Sequence, residues 1–280
     1  MSDFVIRDRK SGDLSGLRAL WKLAFGDGDD YIESFERNLL QADGCIVAEA
    51  DGKPVSAMYI VPGERLFPYR RNVLTAGYTY ALATLPEYRR RGIGAAVYKA
   101  ASDRVLRTSD VSVVRPAGPE LFPFYENASG AKPLGGIREA SLPAGELQGR
   151  AGSPAVRVPA GQYAGMREWF LSDMPHAVFP EALFDHLEET GTEFFMMENG
   201  AAAAETEHGV CRILELLAPR TDPMSAAAGV ARWCRAQEYI VRTPLFFDGP
   251  GSERPFVLAA FNQTPGYPIP DDFWWGFALD

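Results

Sequence analysis

The sequence has few residues that could build a disulfide framework or a structural metal site. Its three cysteines, Cys45, Cys211 and Cys234, lie far apart among 280 residues, whereas a structural zinc site needs Cys or His pairs at short spacing. No stretch approaches the roughly 18 consecutive apolar residues of a membrane-spanning helix. The N-terminal residues MSDFVIRDRK carry charges where a secretory leader would be apolar. We therefore expect no metal ion, no membrane association and a cytoplasmic protein.

Positive charge is also scarce. Twenty-eight Lys and Arg residues face 37 Asp and Glu residues, which gives a formal net charge of −9. Such a field repels phosphate backbones and attracts cations, so we expect no nucleic-acid partner and favour a cationic one. The hydrophobic fraction of 46% and the charged fraction of 23% are typical of a folded globular chain.

The predicted elements occur twice in the same order. A strand, two helices, a hairpin turning at Asp51-Gly52, another strand, a helix and a buried strand follow one another up to Arg115. A similar succession starts near Ala155 and ends in FWWGFALD, which we predict to be a strand. A Gly- and Pro-rich stretch separates the two series. We predict a mixed α/β chain of two domains, residues 1–145 and 155–280.

The segment from Thr79 to Lys99 carries the clearest functional signal. A predicted strand runs through Pro86-Glu87-Tyr88 into RRRGIG and directly into a helix. Unpaired N–H groups and the positive end of the dipole make a helix start suited to a pyrophosphate. A P-loop would need Lys-Ser or Lys-Thr after the glycines, and a dinucleotide fingerprint would need Gly where Val97 stands. An ordinary helix start beside a solvated basic run is the alternative.

The pattern that remains, [RQ]xxGx[GA] after a strand and a turn, resembles the acetyl-CoA signature of the GCN5-related N-acetyltransferase (GNAT) superfamily. The resemblance implies that acetyl-CoA is the cosubstrate and that the backbone of Leu82, Ala83 and Thr84 binds its pantetheine arm and stabilises the oxyanion. It assigns the pyrophosphate to the start of the helix, namely Arg89, Arg90, Arg91, Gly92, Ile93, Gly94 and Ala95.

A second segment, LFPFYENASGA, agrees with this resemblance. Tyr125 falls where the superfamily has a tyrosine that protonates the departing CoA thiolate. A phenol with a pKa near 10 stays protonated at neutral pH and can donate to a thiolate whose parent thiol has a pKa near 8.5. The alternative for Tyr125 is packing against the sheet, which is the role we expect for Phe122 and Phe124.

The whole chain resembles the two-domain acetyltransferases related to the enhanced intracellular survival (Eis) protein. This implies tandem GNAT-like folds, the second degenerate, because RTDPMSAAAGVARW has no RxxGxG and carries the acidic Asp222. We therefore expect a single CoA site. The Eis proteins have a further sterol-carrier-like domain, and the sequence ends before any such segment. Their multi-acetylation of aminoglycosides is therefore not carried over, and a homo-oligomer stays open.

The resemblance also implies that the C-terminal carboxylate, on Asp280 here, reaches the first domain and acts as general base. We expect direct attack by the acceptor in a ternary complex, because none of His176, His186 and His208 neighbours a candidate nucleophile.

The acceptor is expected to be a primary amine on a small molecule or peptide. We predict that its pocket is formed by Trp21, Tyr78, Tyr80 and Glu215. Glu215 is expected to lie on a strand that pairs with YALATL, where its carboxylate would attract an ammonium group. Two alternatives remain: a non-catalytic acyl-CoA-binding sensor, and an aminoacyl-tRNA-dependent transferase on the same tandem fold.

Overall fold

The computed structural model describes residues 4–69, 72–218, 222–266 and 268–279. In these residues a single sheet of 13 strands is covered by helices. The strands are β1 (Val5–Asp8), β2 (Cys45–Ala50), β3 (Lys53–Tyr69), β4 (Asn72–Thr84), β5 (Val111–Val114), β6 (Lys132–Pro143), β7 (Ala155–Val158), β8 (His176–Val178), β9 (Glu193–Met197), β10 (Gly200–Glu207), β11 (Val210–Leu217), β12 (Glu238–Pro244) and β13 (Ser252–Phe261).

The helices lie on both faces of this sheet. They are α1 (Leu14–Phe25), α2 (Asp29–Asn38), α3 (Ile93–Val105), α4 (Phe122–Ser129), α5 (Ala144–Gln148), α6 (Ala160–Leu171), α7 (Glu181–Glu189) and α8 (Pro223–Ala231), with short 3-10 turns at Ser11–Asp13, Pro86–Tyr88 and Pro119–Leu121. None of the helices in the described ranges is long and apolar enough to cross a bilayer. The mixed α/β sheet predicted from the sequence is confirmed.

The sheet contains the same strand order twice. The strands β1-β2-β3-β4-β5 and the strands β7-β9-β10-β11-β12 each run in sequence, antiparallel except for the last pair, β4/β5 or β11/β12, which is parallel. Between the two series lie β13, which pairs with β5 and β6, and β6, which pairs with β12. The two halves of the sequence therefore share one continuous sheet.

Local sequence explains most of these elements. On α1, Leu17, Leu20 and Trp21 are buried at helical spacing, and the helix ends at the left-handed Gly26. Asp51 and Gly52 both have positive φ, as the predicted hairpin turn requires. We did not predict β6, β8 or β10, the last because its buried run of four alanines has little strand propensity by itself.

The predicted C-terminal strand is wrong. The segment 273–279, which we call the C-terminal tail, is buried, but only Trp274 makes a bridge, to His176 of β8. Gly276 then takes a left-handed conformation with φ 85°, which turns the backbone out of strand geometry. The tail is held by a close approach as well, since a Cβ atom on Gly135 would lie 1.9 Å from the carbonyl oxygen of Phe273.

This close approach yields a prediction about the tail. Gly135→Ala, with φ 62° and the clash with Phe273, should lower the free energy of unfolding by about 3 kcal/mol or more. Gly130→Ala is the matched control, because its φ of 74° is equally left-handed but its Cβ would meet nothing within 4 Å, so it should cost about 1–2 kcal/mol. Urea unfolding followed by tryptophan fluorescence measures both, and equal losses would contradict the docking of the tail on Gly135.

Candidate active site

The strands β4 and β5 separate partway along their length. They pair in parallel over four residues, from Ala76 opposite Val111 to Thr79 opposite Val114. From Tyr80 to Thr84, the described residues of β4 pair with β3 alone. One edge of β4 is thereby left open between the two strands, where a ligand can bind to backbone groups.

A β-bulge marks the start of this opening. Tyr80 is opposite Tyr59 and Ala83 is opposite Ala57, so Ala81 and Leu82 together face the single residue between the two partners. Ala81 has φ 53°, a conformation that costs a non-glycine residue about 1–2 kcal/mol. Bulges and strained residues are frequent beside active sites. Sequence reasoning missed this residue, since alanine has no preference for positive φ.

Two of the three predicted pantetheine-binding residues turn their backbone toward the opening. The N–H of Leu85 donates to the carbonyl of Val55 on β3 at 2.9 Å, and backbone direction alternates along a strand. Leu82 and Thr84 therefore face the open edge, where the Thr84 carbonyl accepts from Nε of Arg89 at 2.9 Å. Ala83 faces β3 instead, and its carbonyl accepts from the Ser56 hydroxyl at 2.7 Å.

The start of α3 lies against this open edge. Gly92, with φ 77°, is the N-cap and provides no side chain to cap the helix. The first intrahelical bond is donated by Ala96 to the Gly92 carbonyl at 3.0 Å, so the N–H groups of Ile93, Gly94 and Ala95 have no partner within the helix. A Cβ on Gly94 would lie 3.3 Å from Oγ1 of Thr84, which shows how closely the helix approaches the strand.

The three arginines before α3 take different directions. Arg89 bends back to the Thr84 carbonyl at the end of β4, and the Arg91 guanidinium lies 5.2 Å from the centre of the Tyr88 ring. Arg90 is exposed and has φ 61°. The loop therefore combines positive charge with two left-handed residues, Arg90 and Gly92, directly before the free N–H groups of α3.

Tyr125 lies on α4, which packs against α3. Its ring meets Tyr98 of α3 edge to face at 4.8 Å and Phe124 at 5.0 Å. No side chain or backbone group among the described residues hydrogen-bonds to its hydroxyl. Burial raises the pKa of Tyr125 above its usual value, so the phenol stays protonated at neutral pH. Phe124 also approaches Gly94, where a Cβ would lie 3.9 Å from the ring, so α4 adjoins the start of α3.

The corresponding helix of the second half begins differently. In α8 the N-cap is Asp222, whose carboxylate accepts from the N–H of Met224 at 3.1 Å and pairs with Arg150 at 3.1 Å. A negatively charged cap repels the anion that the start of α3 suits. This contrast supports the expectation that a CoA site belongs to the first half.

Aromatic rings cover the face of the sheet opposite to α3, beside the opening. Tyr80 is half-buried, and its hydroxyl lies 2.9 Å from that of Tyr31 on α2. Tyr78 stacks on Tyr80 with ring centres 6.0 Å apart, and Trp275 of the tail lies 5.7 Å from Tyr78. Trp21 is 2% exposed and donates from Nε1 to Asp27 at 2.7 Å, so it packs within the core behind Tyr80.

The tail reaches the first half of the chain through Trp275, which packs against Tyr78. Leu279 is buried. Asp280, the predicted general base, lies outside the described residues.

The prediction for Glu215 is wrong in its strand pairing. Its strand β11 pairs with β10 and β12, not with β4, and its carboxylate is completely buried. Four hydrogen bonds already occupy it: Nε of Arg167 donates to its two oxygens at 3.0 and 3.1 Å, and the Tyr163 hydroxyl and Nε1 of Trp274 each donate at 2.5 Å. Glu215 therefore anchors the tail instead of attracting a ligand.

The histidines differ in their surroundings. His208 is on the surface and His176 pairs with Glu168 at 3.2 Å. His186 is fully buried between the halves, where Nδ1 lies 2.9 Å from the Ser34 hydroxyl, and burial lowers its pKa to about 4. Among the described residues no group of His, Cys, Asp and Glu is arranged to hold a metal ion.

The anchoring role of Glu215 can be tested. Glu215→Gln would remove the fully buried one of the two carboxylates that pair with the Arg167 guanidinium, and would leave only the part-exposed Glu168 at 2.9 Å, so it should lower the free energy of unfolding by about 3 kcal/mol. Glu253→Gln, which removes a surface ion pair with Arg138, should cost less than about 1 kcal/mol. Urea unfolding measures both, and a loss for Glu215→Gln as small as that of the control would contradict the role.

Comparisons with known proteins bear on the fold. Residues 5–128 match the model of the acetyltransferase (GNAT) domain family, while a search of curated proteins gives no match. Among solved structures, the chain is similar to a GCN5-related N-acetyltransferase from Kribbella flavida, with 16% identity and a TM-score of 0.67 over 93% of this chain and 72% of that one.

Two further structures have the same fold. Eis1 from Mycobacterium abscessus is 11% identical, with a TM-score of 0.63 over 92% of this chain and 74% of that one. A protein from Pyrococcus horikoshii, provisionally assigned as an acetyltransferase, is 15% identical with a TM-score of 0.63 over 99% of this chain and 94% of its own. At such identities the likeness shows the fold alone. That fold is the GNAT fold, and the family match places the acetyltransferase (GNAT) domain model on residues 5–128 of this chain.

Proposed function

We propose that the chain transfers an acetyl group from acetyl-CoA to a primary amine by direct attack in a ternary complex. The observation that carries this proposal is the open edge of β4 beyond Thr79, with the uncapped start of α3 packed beside it. An extended pantetheine chain can bind along such an edge like an added strand. A pyrophosphate can bind at the N–H groups of the adjoining helix.

The residues present fit acetyl-CoA. Gly92 and Gly94 keep the helix start free of side chains, and a Cβ on Gly94 would lie only 3.3 Å from Thr84 Oγ1, so that any side chain there would fill the gap. Leu82 and Thr84 provide backbone groups for the pantetheine amides. Arg89, Arg90 and Arg91 add the positive charge that a diphosphate requires.

Acetyl-CoA supplies the activated thioester, and the chain supplies position and protons. At the opening beside Tyr80, the face of the sheet proposed for the acceptor meets the open edge proposed for the thioester. Both reactants can therefore be held in position for attack. Tyr125, held protonated by its burial, which raises its pKa, donates its phenolic proton to the sulfur as the carbon–sulfur bond breaks. The acceptor nitrogen loses its proton to a base, a role for which we propose the carboxylate of Asp280.

Binding of acetyl-CoA is the first test. At about 100 times its dissociation constant a ligand adds roughly 2.7 kcal/mol of stability, which should raise the melting temperature by about 5 °C. ATP and NAD at equal concentration should give no comparable shift. Gly94→Val, which fills the gap beside Thr84, should abolish the shift, whereas Gly165→Val on α6, where a Cβ meets nothing within 4 Å, should retain it. No shift with acetyl-CoA would contradict the proposed site.

The role of Tyr125 gives a second test. Tyr125→Phe should lower kcat for acetylation of an amine roughly a hundredfold, since it removes the proton donor, while the dissociation constant of acetyl-CoA stays unchanged. The matched control is Tyr98→Phe, which removes the hydroxyl of the neighbouring ring that bonds to Ser129 and should leave kcat within about twofold. Equal kcat values in the two variants would contradict the acid role.

These experiments also separate the alternative functions. A non-catalytic sensor would show the acetyl-CoA shift without turnover of any amine. An aminoacyl-tRNA-dependent transferase would show no shift and would bind tRNA, against a net charge of −9.

A further inference from the structure

A buried carboxyl group on β3 has no partner. Glu64 is 2% exposed, and neither of its oxygens has a hydrogen-bond partner among the described residues. Burial alone holds the pKa of Glu64 well above its usual range, without a contribution from any charged group of the described residues. A buried polar group without a partner costs stability. Such a group is expected where a ligand supplies the missing partner.

Glu64 lies on the aromatic face of the sheet, four β4 residues away from the opening. It is opposite Ala76 of β4, and Tyr78, two residues further on, is its diagonal neighbour on the same buried face, within reach of a long side chain. The Tyr78 ring lies 5.7 Å from that of Trp275. Nε1 of Trp275 is likewise buried, with no partner among the described residues. The Tyr78 ring thus has the Glu64 carboxyl as a diagonal strand neighbour and the Trp275 indole packed against it.

The spacing along β4 sets the distance between Glu64 and the opening. From Ala76, opposite Glu64, to Tyr80, where the opening begins, are four residues, or about 13 Å of strand. The side chain of Glu64 spans part of that length. Between the two ends lies Tyr78, with Trp275 packed against its ring, and these apolar surroundings suit a methylene chain better than a second charge. A carboxyl at the far end suits an ammonium group.

We propose that Glu64 binds a second, distal ammonium group of the acceptor, which makes the acceptor a linear diamine. This rests on the proposed acetyltransferase function. One amino group lies at the opening beside Tyr80 and is acetylated, the methylene chain passes Tyr78 and Trp275, and the other end forms an ion pair with Glu64. The neutral carboxyl of Glu64 releases its proton to solvent when the ammonium binds, so the bound pair carries no net charge. Glu215 cannot take this role because its oxygens already hold Arg167, Tyr163 and Trp274.

Calorimetric titration with cadaverine, without acetyl-CoA, tests the proposal independently of catalysis. In buffers of different ionisation enthalpy, the unchanged chain should release about one proton per cadaverine bound near neutral pH. Glu64→Gln should bind at least about tenfold more weakly and release none. The control Glu207→Gln, at an exposed carboxylate of β10, should behave like the unchanged chain.

Length and charge of the ligand provide the next readout. Affinity should differ among putrescine, cadaverine and hexamethylenediamine for the unchanged chain, and this difference should disappear in Glu64→Gln. The monoamine n-pentylamine, which has no second ammonium, should bind both proteins equally weakly. Equal cadaverine affinity and proton release in the two proteins would overturn the proposal, as would no binding of cadaverine to the unchanged chain. The separate acetyl-CoA titration decides the proposed function itself.

Stability distinguishes a ligand-binding role from a structural one. The pKa of Glu64 is raised in the folded state, so ionisation opposes folding as pH rises above the unfolded value near 4.3. Glu64→Gln should therefore melt no lower than the unchanged chain, and its advantage should grow between about pH 5 and pH 8. A variant that melts lower throughout this range would show that the carboxyl supports the empty fold, and would contradict the proposal.

Discussion

The separation of β4 from β5 after four paired residues is the constraint on which the candidate site depends. Had the parallel pairing continued past Thr79, β5 would have taken up the backbone groups of Leu82 and Thr84, and no edge would remain for a ligand. The bulge at Ala81 changes the direction of β4 at this point, at the cost of a left-handed alanine. Gly94 lets the start of α3 approach the freed edge. An anion site and a strand edge thereby adjoin each other, as an elongated ligand with a diphosphate at one end requires.

The second half of the chain supports this site more than it repeats it. Its strands have the same order as those of the first half, yet the helix after β11 begins with the acidic cap of Asp222. Its buried Glu215, which pairs with Arg167, accepts a hydrogen bond from Nε1 of Trp274 and so fixes the tail, whose next residue, Trp275, packs on Tyr78 of β4. The second half thus provides part of the aromatic face on which the acceptor is proposed to bind. The unpartnered Glu64 lies on that same face.

The sequence allowed the order of elements and the loop before α3 to be predicted, because helical periodicity, turn residues and glycines at a helix start are local signals. It could not reveal which strands pair across the two halves. Glu215 was therefore assigned to a ligand although Arg167, 48 positions away, neutralises it. The bulge at Ala81 could not be predicted from the sequence, since alanine itself does not favour positive φ. Glu64 was missed because one acidic residue in a strand is ordinarily at the surface, and no local signal in the sequence shows that this one is buried.

The most direct test of the account is a crystal structure of the chain with CoA bound. We predict the pyrophosphate at the N–H groups of Ile93, Gly94 and Ala95, the pantetheine arm paired with Leu82 and Thr84, and the sulfur within hydrogen-bonding reach of the Tyr125 hydroxyl. A structure with the pyrophosphate elsewhere, or with β5 closed onto β4 beyond Thr79 and CoA excluded, would contradict the central claim that this opening is the acyl-donor site.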